Sequence, residues 1–342
     1  MAHIPLRLRL DGDALVSNWR WLKQQSGAAA CGAAVKADGY GLGAKEIVRR
    51  LAEAGCRDFF VATWAEAEAL APWSDGLSLS VLHGVAADDI EVPRWARPVL
   101  NTPEQAWRWR GRGPCDAMVD TGINRLGLSA EDVAAGMLDG LEIRTLMSHL
   151  ASADEDVAAN ERQRAAFAGI AAEVAAERRS LANSAGLCLG PDYAFELTRP
   201  GLALYGGIPR REAEGNVRQV VHVEAQVVQR RRIEAGGGVG YNSTFVAEDA
   251  CELAILNIGY ADGYLRGFSG AGRARAAGGA WLPVVGRVSM DLTAVRVDAA
   301  PRVREGDWLE LDYALPAAAA QSGLSQYELL TTLGSRFARR WC

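Results

Sequence analysis

The hydrophobic positions change period at about residue 216. Before that point, helix-spaced and strand-like segments alternate. "DALVSNWRWLKQQSG" places Leu15, Val16, Trp19 and Leu22 at helical spacing. "CGAAVK" follows as a short apolar strand. "AKEIVRRLAEAG" is helical, with Gly55 as its stop. "DFFVAT", "LSLSVLHG", "RPVLNT", "DAMVDTG" and "LEIRTLMSHL" are further strands, separated by helical "AEAEALAPW", "PEQAWRWRG" and "AEDVAAGML". A long helix is expected from Asp154 to Arg179. "SLANSAG" and "ELTRPGLALYGG" supply the last two strands of the series. About eight β/α units over about 210 residues fit a (β/α)8 TIM-type barrel. A doubly wound open sheet is the alternative.

After residue 216 the period shortens to two. "VVHVEAQVVQ", "CELAILNIGY", "WLPVVGRVSM", "LTAVRV" and "DWLELD" read as strands punctuated by glycine and proline. A final helix, "QYELLTTLGSRFARR", is expected to close the chain. The expected organisation is an N-terminal strand (1–10) packing with the C-terminal domain, an α/β barrel (11–215), and a mostly β domain (216–342). A length of 342 residues suits such a division.

Composition narrows the function classes. A net charge of −5 and a pI near 5.6 argue against a nucleic-acid partner. The basic run Arg230–Ile233 reads as a solvated strand end. No stretch approaches the roughly 18 apolar residues of a membrane span, and no leader is visible at the N-terminus. A cytoplasmic protein is expected. The six cysteines show no C-x-x-C spacing, so thiols are expected rather than disulfides or a metal site.

Chemistry-bearing residues collect where a barrel places its function, at the C-terminal ends of strands. Lys36 ends the first strand, in "AVKADGYGLG". "DTGINRLG" follows the fifth, "SHLAS" the sixth, "NSAG" the seventh, and "RPG" stands at the eighth. Taken singly, none is diagnostic. Together they suggest a carbonyl cofactor. A desolvated lysine is the usual nucleophile for a Schiff base. Pyridoxal 5′-phosphate would need that lysine, a phosphate cradle and a partner for its ring nitrogen. Ser184, Gly201 and Leu202 could supply the cradle, and Arg199 could face the nitrogen.

At this point the chain resembles the alanine racemases, pyridoxal phosphate enzymes with a barrel and a C-terminal β domain. The matching segments are "AVKADGYGLG", "VDTGINRLG", "SHLASADE", "NSAG", "RPGLALYG", "VGYNSTF", "NIGYADGYLR" and "GRVSMDLTAV", in family order. The resemblance implies roles. Lys36 would carry the cofactor and act as one acid/base, and Tyr241 would be the other. Tyr40, Ser184, Arg199, Gly201 and Leu202 would contact the cofactor. His149 would support the catalytic tyrosine. Arg125, Tyr260, Met290 and Asp291 would lie at the substrate.

The implied reaction is interconversion of L- and D-alanine, supplying D-alanine for peptidoglycan, in a head-to-tail homodimer with shared active sites. Removing a proton from one face and returning one to the other is solved directly by two bases. Rival readings are a serine or broader-range racemase, a lyase or aldolase on the same architecture, and a non-catalytic pyridoxal phosphate carrier. The β domain and Tyr241 speak against the carrier.

Three departures matter. Ser289 stands where many relatives have cysteine. "TTLGSRFARRWC" lacks a tyrosine that relatives often place on the phosphate. Met118 occupies the position where many relatives have a carbamylated lysine, whose anion can hold the arginine of the "DTG" motif. A thioether carries no charge. Arg125 is therefore expected to be oriented by Asp120, Asn124, a bound anion or water, or by nothing; a substitute hydrogen-bonding partner is favoured over a looser arginine beside a merely packed Met118, and activity is expected not to depend on carbon dioxide.

Overall fold

The computed structural model describes residues 3–88 and 92–342, and the chain divides into two compact units. One comprises Ala14–Arg218. The other comprises the residues up to Asp13 together with Gln219–Cys342. The first two positions of the expected N-terminal segment lie outside the described residues.

The unit Ala14–Arg218 is a closed parallel barrel. Its first strand has two short pieces, Ala30–Cys31 and Ala33–Ala34. Around the barrel follow Asp58–Val61, Ser78–Val81, Ala96–Leu100, Cys115–Met118, Ile143–Met147 and Arg178–Ser180. The eighth strand, Leu197–Thr198, pairs in parallel with Ala30–Cys31 and closes the ring. The "DTG", "SHL", "NSAG" and "RPG" segments therefore follow strands five to eight, as the sequence predicts. Lys36 lies two residues past its strand, at the start of a helical turn, Lys36–Tyr40.

Helix starts are set by local chemistry. Thr63 and Glu66 form a reciprocal capping box before Trp64–Leu70. Thr102 caps Pro103–Trp109, with proline at the first helical position. The helix expected over 154–179 covers only Ala158–Glu173. Arg178–Ser180 is instead pulled into the barrel by pairing with Ile143–Met147, so tertiary pairing overrides local propensity there.

The barrel interior carries charge. Asp58 and Arg178, on strands two and seven, meet through two hydrogen bonds of 2.6 and 3.1 Å. Asp116, fully buried, accepts from Ser80 Oγ at 2.6 Å and pairs with Arg97 at 3.4 Å.

In the other unit, the long strand Val221–Ile233 organises an antiparallel sheet. Its first half pairs with Leu6–Leu10 and Trp308–Leu311, and its second half with Cys251–Leu256. Thr293–Arg296, Leu282–Val285 and Arg273–Arg275 complete the circuit back to Trp308–Leu311, so six strands close on themselves. A register shift between Val227 and Gln229 turns the long strand from one neighbour to the next. The expected final helix is shorter, Gln326–Thr331. Ala338–Trp341 is a strand because it finds an open edge on Leu6–Leu10. The alanine-rich "LPAAAAQS" forms an unforeseen helix, Leu315–Ser322. Among the described residues, no helix is long and apolar enough to cross a membrane.

Removing one partner of a buried ion pair leaves the other charge unmatched. Asp58→Ala should lower the unfolding free energy by about 3 kcal/mol. Asp58→Leu combined with Arg178→Met should recover most of that loss in chemical denaturation. Equal loss in the single and double variants would show that packing, not charge, holds these strands.

Candidate active site at the barrel mouth

Lys36 opens a strained turn. Ala37, Asp38, Gly39 and Tyr40 all have positive φ, between 50 and 64°. Three of them are not glycine, so the surroundings must hold the turn. Asp38 Oδ1 accepts from the Ala44 amide at 2.8 Å. The Glu66 carboxylate accepts from the amides of Ala37 (2.8 Å) and Ala62 (2.7 Å). The Tyr40 ring packs on Tyr205 with centroids 4.7 Å apart, and the Tyr205 hydroxyl donates to the Ala34 carbonyl at 2.7 Å.

The lysine itself is half-buried and has no ion-pair partner among the described residues. Burial lowers its proton affinity, and the charges of Arg125 and Arg199 lower it further, against a weaker opposing pull from Glu66. Desolvation and like charge both favour the neutral amine, the nucleophilic form.

Arg199 is buried and fixed. Its guanidinium donates to Ser180 Oγ, and to the Ser148 carbonyl at 2.6 Å. Burial pushes it down to about 10, against the attraction of Asp116. No carboxylate lies within ion-pair distance of it among the described residues. His149 is pushed down from 6.5 to about 3 by burial, then by Arg199, Arg125 and Lys36. It is a neutral imidazole at physiological pH.

Beside this cationic group lies a small cradle. Ser184 Oγ, buried, accepts from the amides of Gly201 (2.9 Å) and Ala203 (3.2 Å). Its own proton is therefore free to be donated elsewhere. A Cβ on Gly201 would stand 2.2 Å from the Tyr40 hydroxyl, so only glycine lets Tyr40 and the Ser184 loop converge. A hydroxyl-lined cradle near the charges of Arg125 and Arg199 suits an anionic cofactor, and the amine of Lys36 suits an aldehyde. The residues present fit pyridoxal phosphate.

Arg125 departs from expectation. Asp120 does not hold its guanidinium. The Asp120 carboxylate is spent on the loop backbone, accepting from the amides of Gly122 (2.7 Å), Ile123 (3.0 Å) and Arg125 (3.1 Å). Among the described residues the Arg125 guanidinium makes no hydrogen bond or ion pair, with Asn124 or any other. Met118 is buried and uncharged.

Tyr241, Tyr260, Met290 and Asp291 belong to the other unit. The last three come together there: Tyr260 and Ala261 donate backbone hydrogen bonds of 3.0 Å to the carbonyls of Ser289 and Met290. Tyr241 follows Gly240 (φ 73°), and it and Met290 are 65% and 54% exposed. Sequence reasoning missed Ser148, Ser180, Glu66 and Arg336. Of these, only Glu66 had a signal, the T-x-x-E capping pattern.

The low value at His149 makes a pH prediction for the cofactor-free protein. The folded state holds His149 neutral, whereas the unfolded chain protonates it below its ordinary 6.5. The unfolded state then binds more protons, so stability falls as pH drops from 6.5 toward 3. The loss approaches at most about 1.4 kcal/mol per pH unit. His149→Gln should flatten the pH dependence of Tm across this window. An unchanged slope would show that His149 takes a proton in the fold.

Residues 10–209 match the family profile of the alanine racemase N-terminal domain, and residues 220–341 that of the C-terminal domain. The chain is 40% identical to the biosynthetic alanine racemase of Agrobacterium fabrum, covering 98% of this chain and 94% of that protein. It is 39% identical to the catabolic alanine racemase of Mesorhizobium japonicum, covering 98% and 92%. The crystal structure of alanine racemase from Bartonella henselae, with covalently bound pyridoxal phosphate, superposes with a TM-score of 0.91 at 35% identity over 99% of both chains. With both family domains present, in order and almost end to end, the chain belongs to the alanine racemase family.

Proposed function

We propose that this protein interconverts L-alanine and D-alanine with pyridoxal 5′-phosphate, using Lys36 and Tyr241 as the two acid/base groups. The observation that carries it is the half-buried, unpaired Lys36 set among Arg125, Arg199 and neutral His149 at the barrel mouth. The cofactor, when bound, supplies the electron sink that acidifies the α-C–H bond of an amino acid.

The chain's own residues do the rest. Burial and the neighbouring arginine charges favour the neutral amine of Lys36, the form that would bond the cofactor's aldehyde, and the same amine would take or return a proton on one face. Tyr241 serves the opposite face. Tyr40, Ser184, Gly201 and Leu202 hold the phosphate. Arg199 offers the ring nitrogen a positive charge and no acceptor for a proton. A ring nitrogen held there would find no proton acceptor in Arg199, which would favour return of the proton to carbon over side reactions. Arg125, whose guanidinium has no partner among the described residues, is available to the substrate carboxylate. His149 supports Tyr241 as a neutral imidazole. Tyr260, Met290 and Asp291 bound the substrate.

Assembly follows as part of the same proposal. Tyr241, Val246, Met290 and Leu292 are exposed large hydrophobic side chains of the β unit. Exposed side chains of this kind suit burial against a second copy. We place Tyr241 and Met290 in the barrel site of the partner subunit of a head-to-tail homodimer. The six unpaired cysteines support a cytoplasmic setting. Use of the D-alanine in peptidoglycan belongs to this proposal too, since relatives of nearly equal identity are named biosynthetic and catabolic.

The activity test is release of D-alanine from L-alanine by the cofactor-loaded protein, against L-serine and L-lysine. Borohydride reduction should fix the cofactor to Lys36; a label on Lys23 or Lys45 would sink the assignment. Tyr241→Phe should cut racemisation by at least about 100-fold. Solvent exchange of the α-proton should survive for one enantiomer. Equal loss for both, with cofactor still bound, would contradict the two-face assignment.

Mixing Lys36→Ala and Tyr241→Phe proteins tests the shared site. Each mixed dimer would hold one intact site, so equal mixing should restore roughly a quarter of wild-type activity. No recovery after proven subunit exchange would refute it.

A further inference from the structure

Three of the proposed substrate-side residues stand on two turns of the β unit. The turn through Tyr260 is clipped to the turn through Met290 by the two backbone hydrogen bonds already described. The approach is as close as backbone allows: a Cβ on Gly259 would lie 2.3 Å from the carbonyl oxygens of both Ser289 and Met290. Thr293 adds a hydrogen bond of 2.7 Å from its hydroxyl to the Ile258 carbonyl.

One side chain outside these turns ties them together. Arg336 Nε donates to Asp262 Oδ1 at 2.6 Å, and its Nη1 donates to Asp291 Oδ1 at 2.7 Å. The two carboxylates differ in environment. Asp262 is fully buried, and its other oxygen accepts from the Gly259 amide at 3.0 Å. Asp291 has a side chain 50% exposed. A buried carboxylate bonded on both oxygens has one direction, so it fixes the guanidinium. The guanidinium in turn fixes the exposed carboxylate and offsets part of its charge, one positive group lying between two negative ones. Arg336 itself lies in the segment that lacks the expected tyrosine.

We infer that Arg336 is a positioning and specificity-determining residue: anchored on Asp262, it holds Asp291 and offsets its charge, and so denies cationic side chains a free counter-charge at the substrate site. This rests on the proposed function, because that reading puts Asp291 beside the substrate. An unpartnered Asp291 would attract an amino acid with a positive side chain. A paired one leaves the site to a small neutral substrate.

The test compares cofactor-loaded wild type with Arg336→Ala, Arg336→Gln, Arg336→Lys and the double variant Arg336→Ala/Asp291→Asn. For each, kcat and KM are measured on L-alanine and L-lysine, and equilibrium binding of both amino acids is read from the cofactor's absorbance. In Arg336→Ala and Arg336→Gln the lysine-to-alanine ratio of kcat/KM should rise by roughly tenfold, chiefly through KM for lysine. Arg336→Lys, which keeps the charge, should stay near the wild-type ratio. The double variant should lose the gain, because no exposed carboxylate is left and Asp262 is buried. Arg336→Gln keeps a hydrogen bond to Asp262 and covers the case in which the alanine variant does not fold. A ratio unmoved in both uncharged variants, or a gain that persists in the double variant, would overturn the inference. If wild type fails to racemise alanine, the proposed function falls, while the binding ratios still decide the role of Arg336.

Discussion

Positive charge gathered without matching carboxylates is the constraint on which the barrel site depends. Arg199 is buried with a hydroxyl and a carbonyl as its partners, and neither neutralises it. Lys36 and His149 both feel that charge together with Arg125. The consequence is a chain of protonation states. That charge, with burial, makes the lysine give its proton up more easily and holds the histidine neutral near pH 7. The barrel answers the cost of burying Arg199 elsewhere: Asp116 supplies an attraction through the interior, from a carboxylate itself fixed by Ser80 and Arg97.

The turn that presents Lys36 is held by the same economy of polar contacts. Non-glycine residues with positive φ cost about 1–3 kcal/mol each, and Ala37, Asp38 and Tyr40 are three in a row around Gly39. Glu66 bonds two amides on either side of that turn's base. It thereby spends its carboxylate on backbone while leaving enough field to temper the shift at Lys36. The capping box that starts its own helix is what aims it. Local helix chemistry thus reaches the lysine through one side chain.

Much of this was legible in the chain. The strand ends carrying Lys36, "DTG", "SHL", "NSAG" and "RPG" were placed by periodicity alone, because short apolar runs between amphipathic helices have few other readings. What could not be read was long-range. Arg178–Ser180 looks helical until strand six offers it a partner. Ala338–Trp341 looks like a helix end until Leu6–Leu10, more than 300 residues away in sequence, offers an open edge. Ser180 and Ser148 are ordinary serines until Arg199 lies across them. The expected substitute partner for Arg125 failed for a similar reason. Asp120 was the right kind of group at the right spacing, and its lone pairs were already claimed by the loop's own amides.

The two arginines of greatest interest are therefore opposites. Arg336 lies between two carboxylates, one buried and one exposed, with its geometry complete before any ligand arrives. Arg125 stands on a loop whose backbone is pinned by Asp120, yet its guanidinium is unclaimed among the described residues. A guanidinium already shared by two carboxylates has little left to give a third. One that is uncompensated, on a rigid backbone and facing other cations, gains most from an incoming anion. That asymmetry supports the proposed pairing of Arg125 with the substrate carboxylate. It also explains why a buried methionine at position 118 is compatible with that role: leaving the arginine without an internal anion keeps its full charge for the ligand.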